Sequence, residues 1–139
     1  DMIRSEGLPR AFARHKRWAA GVRAAVTAWG LPIQCADEAL ASPVLTGVIL
    51  PKEIDADAVR RLIHERFDMS LGTGLGKVKG RMFRIGHLGD SNDLTLLGAL
   101  AGCEMGLGLS GIKLAGSGVQ AAMQHFAKPS PTQTKQHAA

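Results

Sequence analysis

The sequence predicts an α+β fold, a two-layer sandwich in which a small, mostly antiparallel sheet carries helices on one face. Two observations lead to this prediction. Apolar residues recur at three- and four-residue spacing in some segments, as in helices, and alternate or run together in others, as in strands. Along the chain these segments follow the order helix, strand, strand, helix, strand, strand, helix, helix. This arrangement leaves one face of the sheet without helices.

The first long helix is predicted over residues 8–29, with Pro9 suited to its first turn and Gly30 to its end. His15 falls on the apolar stripe, where a histidine is more often a hydrogen-bonded core or interface residue than a ligand or base. Another face is basic and carries Arg10, Arg14 and Arg17, with Lys16 and Arg23 nearby. Because no aromatic residues are interleaved with these charges, we expect a solvated face rather than a nucleic-acid surface.

Two strands and a second helix follow. A short edge strand is predicted over 31–35, because Pro32 cannot donate a hydrogen bond to a sheet and is tolerated mainly at edges. The β-branched run 44–50 predicts the next strand, and its apolar residues on both faces indicate that both sides are covered. Asp55 can then cap an amphipathic helix that runs to about Phe67.

The stretch 69–80 is rich in glycine, which permits a close approach of the backbone to phosphate. The pattern does not match a phosphate-binding loop, because Val78 stands where that motif requires serine or threonine. Its first glycine is replaced by Leu71, and a dinucleotide-binding motif would need glycine at Lys77. We therefore predict a flexible lead-in to the next strand, with a hairpin-like return as the alternative.

The next strand, within 80–89, has an arginine in the middle of an apolar alternation. Successive side chains of a strand point to opposite faces, so Phe83 and Ile85 share one face. Met82 and Arg84 share the other. If the first pair meets the helices, Arg84 points out of the uncovered face, and its planar fork of donors suits a carboxylate or phosphate. The alternative is an ordinary arginine on a hydrated sheet face.

Two helices complete the predicted fold. One follows the capping residues 90–92 and runs to about Leu107. It is apolar nearly all round, which predicts that its own domain, another domain or a partner subunit covers most of its sides. Gly98 and Gly102 would let a neighbouring element approach closely. The last helix begins after Ser117 as its cap.

Length and composition limit the classes of function that the chain can have. A chain of 139 residues fits one domain. The net charge of +5 is weak support for a nucleic-acid partner, because much of the positive charge lies on one helix face. Cys35 and Cys103 are far apart in the sequence, and no histidine lies at metal-ligand spacing from either of them. We therefore expect two reduced thiols in a cytoplasmic protein and no metal site. There is no membrane-spanning run or signal-peptide pattern. Residues 128–139 are predicted to be a disordered tail, and the start at Asp1 looks like that of a fragment.

Three segments resemble a known family. They are 70–77, the motif Arg-Met-Phe-Arg-Ile-Gly-His-Leu-Gly at 81–89, and 96–107. Together they are similar to the C-terminal small domain of the serine-glyoxylate and alanine-glyoxylate aminotransferases, which belong to aminotransferase class V and fold type I. The resemblance implies that residues 1–127 form this small domain, with residues 1–30 as its lead-in helix.

Members of this family are usually homodimers that use pyridoxal 5'-phosphate. They move an amino group from a small amino acid such as serine or alanine to an oxo acid such as glyoxylate. In them, the arginine that matches Arg84 binds the α-carboxylate of the substrate. The large N-terminal domain, which carries the cofactor lysine and the phosphate-binding groups, has no counterpart in this sequence. The resemblance therefore implies a missing large domain, no catalytic or cofactor-binding residue here, no bound cofactor and no activity of this chain alone.

Two other functions stay open. The chain could be a free-standing ligand-binding or regulatory domain that holds a small carboxylate with Arg84 and performs no catalysis. It could also bind nucleic acid through the basic helix face, in which case the affinity would depend steeply on salt.

Overall fold

The computed structural model describes residues 2–129 and forms a two-layer α+β sandwich, as the sequence predicts. The helices are α1 (Met2–Glu6), α2 (Leu8–Trp29), α3 (Ala56–Phe67), α4 (Asp93–Leu109) and α5 (Gly118–Phe126). The strands are β1 (Leu45–Ile49), β2 (Gly72–Thr73) and β3 (Met82–Gly86). The predicted tail lies outside the described residues from position 130 onward.

The sheet has three strands in the order β1-β3-β2, and both pairings are antiparallel. The regular strand predicted over 31–35 is wrong, since only one bridge, from Ile33 to Val48, is formed. The segment still lies along β1, because the Ile49 N–H donates to the Pro32 carbonyl at 2.9 Å. Proline has no N–H to donate in return, so regular pairing does not extend.

One face of β1 is fully covered and the other only in part. Thr46 and Val48 are buried against the helices, whereas on the opposite face Leu45 is 36% exposed and Gly47 and Ile49 are half-buried. The prediction that both sides of this strand are covered therefore holds fully for one side and in part for the other within the described residues. The open face is the one to which Arg84 belongs.

The glycine-rich stretch forms the hairpin-like return rather than a flexible lead-in. After β2, a 3-10 turn at Gly76–Val78 leads back into β3. A side chain at Gly74 would overlap the carbonyl of Val78, so the turn closes tightly on itself. The glycines thus serve a compact hairpin, and β2 is fixed at the edge of the sheet.

The helix ends confirm the predicted caps. Asp55 and Ser117 each accept a hydrogen bond from a backbone N–H in the first turn of the helix that follows. Asn92 and Thr95 form a capping box at the start of α4. Gly30 ends α2 with a φ of 76°, in the left-handed region.

The core lies between the covered sheet face and the helices. Phe83, Ile63 and Leu100 are fully buried there. Of the two glycines expected to allow close packing in α4, Gly102 meets Met69, whereas Gly98 has nothing within 4 Å of its added Cβ position. The apolar face beside Gly98 is thus uncovered within residues 2–129; Leu94, Met105 and Leu109 are its exposed members. In the described part of the chain no helix has the length and apolar character needed to cross a membrane.

Candidate functional site

Arg84 lies at the centre of the sheet, on the face that the helices leave open. Its strand neighbours Phe83 and Ile85 are 0% and 2% exposed in the core, which confirms the alternation predicted for β3. Arg84 itself is half-buried on the opposite face. Because β3 is hydrogen-bonded on both sides, the backbone that carries this side chain is held rigidly.

A cavity of about 250 Å3 opens beside Arg84. One wall is the open sheet face, with Gly47 and Met82, and the other is the segment that follows α2, with Gln34, Cys35 and Ser42. The irregular segment after Pro32 therefore has a role that its sequence did not indicate, since it encloses the space in front of Arg84.

The cavity is electropositive. Its charged lining residues are Arg84 and Arg23, and none of the described residues that line it is acidic. Arg23 has a partner outside the cavity lining, Glu38, at 3.1 Å. Within residues 2–129 the buried Nε of Arg84 has no hydrogen-bond partner. Buried donors are almost always paired, so this arrangement is suited to an anionic ligand that supplies the acceptor.

Arg81, at the start of the same strand, also has a buried Nε without a partner among the described residues. It does not line the Arg84 cavity. Sequence analysis did not single it out, because its position at the strand end gives no clear face. The unpaired donor alone is therefore not sufficient to define a site; at Arg84 it coincides with a cavity and a rigid strand.

Two histidines are held by hydrogen bonds within the fold, and only His87 is buried. His87, which sequence analysis missed, is 1% exposed and joins Thr46 Oγ1 at 2.9 Å and the Pro43 carbonyl at 3.1 Å. Burial lowers its pKa to about 4. His15 joins the Ala11 carbonyl through Nδ1 at 2.7 Å and accepts from the Gly89 N–H through Nε2 at 3.2 Å. The prediction of a hydrogen-bonded structural histidine at position 15 is confirmed.

Sequence analysis predicted a solvated basic face on α2, but two of its arginines form ion pairs with other helices. Arg14 makes two 2.6 Å hydrogen bonds to Glu6. Arg17 contacts Asp93 at 2.6 Å. Both carboxylates come from outside α2, so the sequence of the helix alone could not reveal these pairs. With its arginines engaged in this way, the face offers fewer free charges to a phosphate backbone.

A larger cavity, of about 820 Å3, lies away from Arg84 between α1, the first half of α2 and the loop at 88–91. Its lining is mainly apolar and includes Ile3, Leu8, Phe12 and Leu88, which are all more than half exposed. Exposed apolar surface of this kind is typical of a contact with another domain or chain.

Within residues 2–129, neither a cluster of metal ligands nor a lysine lies at Arg84. Among the described residues, no group of three or more His, Cys, Asp or Glu side chains could hold a metal ion. The lysines of this part are all exposed and none lines the Arg84 cavity; they are Lys16, Lys52, Lys77, Lys79, Lys113 and Lys128. Cys35 and Cys103 are unpaired, and burial raises the pKa of the Cys103 thiol to about 12.

Comparisons with known proteins show that the chain is similar to one part of several aminotransferases. No model in a scan of known protein families matches. The chain is 43% identical over 129 residues, 92% of its length, to serine-glyoxylate aminotransferase of Hyphomicrobium methylovorum. It is also 43% identical over 127 residues, 91% of its length, to L-aspartate-glyoxylate aminotransferase of Paracoccus denitrificans.

Comparison with solved structures also shows similarity to an aminotransferase. Pyridoxamine-pyruvate aminotransferase from Mesorhizobium loti superimposes with a TM-score of 0.84 and 33% identity, over 91% of this chain and 33% of that chain. Each of the two sequence relatives is likewise covered over only 32% of its length. The chain therefore spans about a third of the length of the relatives it matches.

Proposed function

We propose that this chain, which is homologous over about nine-tenths of its length to serine-glyoxylate aminotransferases and their relatives, acts as the C-terminal small domain of such an enzyme. The whole enzyme would move an amino group from a small amino acid, serine or alanine, to an oxo acid such as glyoxylate. The single observation that carries the role of this domain is Arg84 itself, which is held on a rigid strand beside an electropositive cavity and whose buried Nε has no hydrogen-bond partner among the described residues.

Arg84 would bind the α-carboxylate of the substrate. A guanidinium offers two parallel N–H groups that match the two oxygens of a carboxylate, and a strand holds that fork in a constant direction. The amino-acid donor and the oxo-acid acceptor both carry this carboxylate, so one arginine would orient both substrates in turn. The contribution is positioning, which makes the reacting atoms meet in a productive geometry.

The described residues do not fit pyridoxal 5'-phosphate by themselves. That cofactor needs a lysine and a phosphate-binding loop, and the lysines of this part are exposed and away from Arg84. In our proposal the cofactor is therefore held by the other two-thirds of the enzyme. The apolar exposed face of α4 and the larger apolar cavity are surfaces that such a domain, or the second subunit of a homodimer, would cover. A cytoplasmic location is part of the same proposal.

The proposal is tested by Arg84→Ala in the aminotransferase that carries this domain. Losing hydrogen bonds to a charged group costs about 1.5 to 3 kcal/mol, so kcat/KM should fall roughly 10- to 150-fold. Arg61→Ala removes an exposed arginine on α3 and is the matched control, with unchanged kinetics expected. Equal kinetics of Arg84→Ala and wild type toward serine and glyoxylate would exclude the carboxylate role.

A free-standing carboxylate-binding domain is the second candidate, because the Arg84 cavity is formed without any other domain. The two candidates differ in the length of the natural polypeptide. Intact mass of the protein expressed from its native reading frame separates them. A mass near 14.7 kDa favours the free-standing domain, whereas a mass about threefold higher favours the aminotransferase.

A further inference from the structure

The two strands that flank β3 both place a glycine opposite Arg84. In the sheet register, Arg84 pairs with Gly47 on β1 and with Gly72 on β2. Directly opposite residues of antiparallel strands project from the same face. Of the three paired residues Gly47, Arg84 and Gly72, only Arg84 therefore has a side chain on this face of the sheet.

The two glycines are used differently. A Cβ at Gly47 would lie 2.9 Å from Gln34 Cβ and 3.2 Å from Met82 Cε, so that position is already occupied by other side chains. A Cβ at Gly72 would lie 3.1 Å from both Cβ and Nε of Arg84, and 3.5 Å from its Cζ. The Arg84 side chain thus lies over the bare backbone of Gly72.

Backbone conformation does not explain the glycine at position 72. Its φ lies outside the left-handed region in which glycine is favoured. A β-branched or other side chain could adopt the same backbone and would suit a strand better. The remaining physical reason for glycine here is the space that Arg84 takes.

The strand under Arg84 cannot easily move to admit a side chain. The Nε of Arg60 donates to the Leu71 carbonyl at 2.7 Å. On the other side of Gly72, the Thr73 hydroxyl donates to Asp57 at 2.9 Å, and Asp57 also pairs with Arg60 at 2.8 Å. Helix α3 thus holds both neighbours of Gly72, so a methyl group added there would displace Arg84 instead.

We propose that Gly72 is a positioning residue for Arg84, which sets the direction of its guanidinium by leaving room for the side chain to lie across β2. This inference rests on the proposed function, since the benefit of a fixed direction is correct placement of the substrate carboxylate. A misplacement of about 1 Å can cost as much as roughly 100-fold in rate. Gly72 itself contacts no substrate in this proposal.

The kinetic test uses Gly72→Ala and Gly72→Val in the aminotransferase that carries this domain. Gly72→Ala should lower kcat/KM about 3- to 10-fold, and Gly72→Val should approach the roughly 10- to 150-fold loss of Arg84→Ala. The loss should appear mainly as a higher KM for both the amino acid and the oxo acid, because Arg84 serves both. A merely structural defect would lower the melting temperature without raising either KM, and that pattern overturns the proposal.

Gly86→Ala is the matched control. Gly86 lies on the same strand and face as Arg84, its φ is outside the left-handed region, and nothing lies within 4 Å of its added Cβ. The same methyl group two residues away should therefore leave both KM values unchanged. Equal KM increases for Gly86→Ala and Gly72→Ala would overturn the specific role of position 72.

A second readout is independent of activity. The Nε–H resonance of Arg84 in the 15N NMR spectrum of this chain, assigned by its loss in Arg84→Lys, should shift in Gly72→Ala and stay in place in Gly86→Ala. An unchanged resonance in Gly72→Ala overturns the inference. If the resonance shifts but Arg84→Ala has wild-type kinetics, the packing of Arg84 on Gly72 holds and the proposed carboxylate role is the part that fails.

Discussion

Glu104 joins three helices, and its replacement gives a stringent test of how the helical layer is held together. Its carboxylate on α4 accepts from the indole N–H of Trp29 on α2 at 2.8 Å. It also accepts from the Ser117 hydroxyl and the Val119 N–H, each at 2.9 Å, at the start of α5. Partial burial alone would raise the pKa of Glu104, but these hydrogen bonds outweigh it and lower the pKa.

The cost of two substitutions follows from these contacts. In Glu104→Gln the amide oxygen can still accept from Trp29 and Val119, and the NH2 group can turn toward Ser117. Two charge-assisted hydrogen bonds become neutral ones, at a cost of about 2 kcal/mol in the free energy of unfolding. In Glu104→Ala the buried Trp29 N–H and the Val119 N–H lose their acceptor, so about 4 kcal/mol should be lost.

Urea unfolding of this chain, followed by tryptophan fluorescence, measures both losses. For a chain of this size, about 2 kcal/mol corresponds to a fall of roughly 7 °C in melting temperature. Glu65→Gln, which neutralises an exposed carboxylate on α3, is the control and should change the free energy by less than about 0.5 kcal/mol. A loss in Glu104→Gln no larger than that of the control would refute the assignment of Glu104 as the junction.

Two further predictions concern stability. Gly106→Ala places a methyl group against the buried Ile63 and should lower the free energy of unfolding by about 1 to 3 kcal/mol. In Gly98→Ala the methyl group contacts nothing within 4 Å, so this substitution should raise the free energy of unfolding by about 0.5 to 1 kcal/mol. Equal effects of the two substitutions in thermal unfolding would contradict this packing. Because the folded pKa of His87 is about 4 and its ordinary value is 6.5, the unfolded chain takes up the proton first. Stability should therefore be complete above about pH 6.5 and fall by about 2 kcal/mol toward pH 5. At lower pH the carboxylates Glu6, Asp57 and Glu104, whose pKa values are lowered in the folded chain, add to the fall. His125 acts in the same direction as His87 because burial lowers its pKa, so the slope between pH 6.5 and 5 is measured in a His125→Gln background, where His87→Gln should remove most of it.

The local pattern of apolar residues was sufficient to predict the helices and strands that have a clear periodicity. The bounds of α2 and the face of β3 that carries Arg84 follow from spacing alone, because both depend only on residues near in sequence. The same reasoning failed at 31–35, where a proline interrupted the pairing that the apolar residues favoured. The prediction of a flexible lead-in at the glycine-rich stretch was also wrong, and the alternative, a hairpin, is correct because the turn closes on its own backbone.

The features that local pattern missed are contacts between distant segments. Arg17 forms an ion pair with Asp93, and Glu104 accepts a hydrogen bond from Trp29. The spacing of residues in the sequence cannot predict these contacts, because they depend on how the helices pack. His87 was overlooked because its burial depends on β1 and on the Pro43 carbonyl, which lie far along the chain. The pairing of Gly72 with Arg84 likewise needed the register of the sheet.

The most direct test of the central claim is the coupling between Arg84 and the substrate carboxylate. We would measure kcat/KM of the proposed full-length aminotransferase, as wild type and as Arg84→Ala, with serine and with serinamide, which lacks the negative charge. The account predicts a coupling of about 1.5 to 3 kcal/mol, so that the substitution lowers kcat/KM for serine roughly 10- to 150-fold and leaves that for serinamide nearly unchanged. Equal effects on the two substrates, or no effect on either, would contradict it.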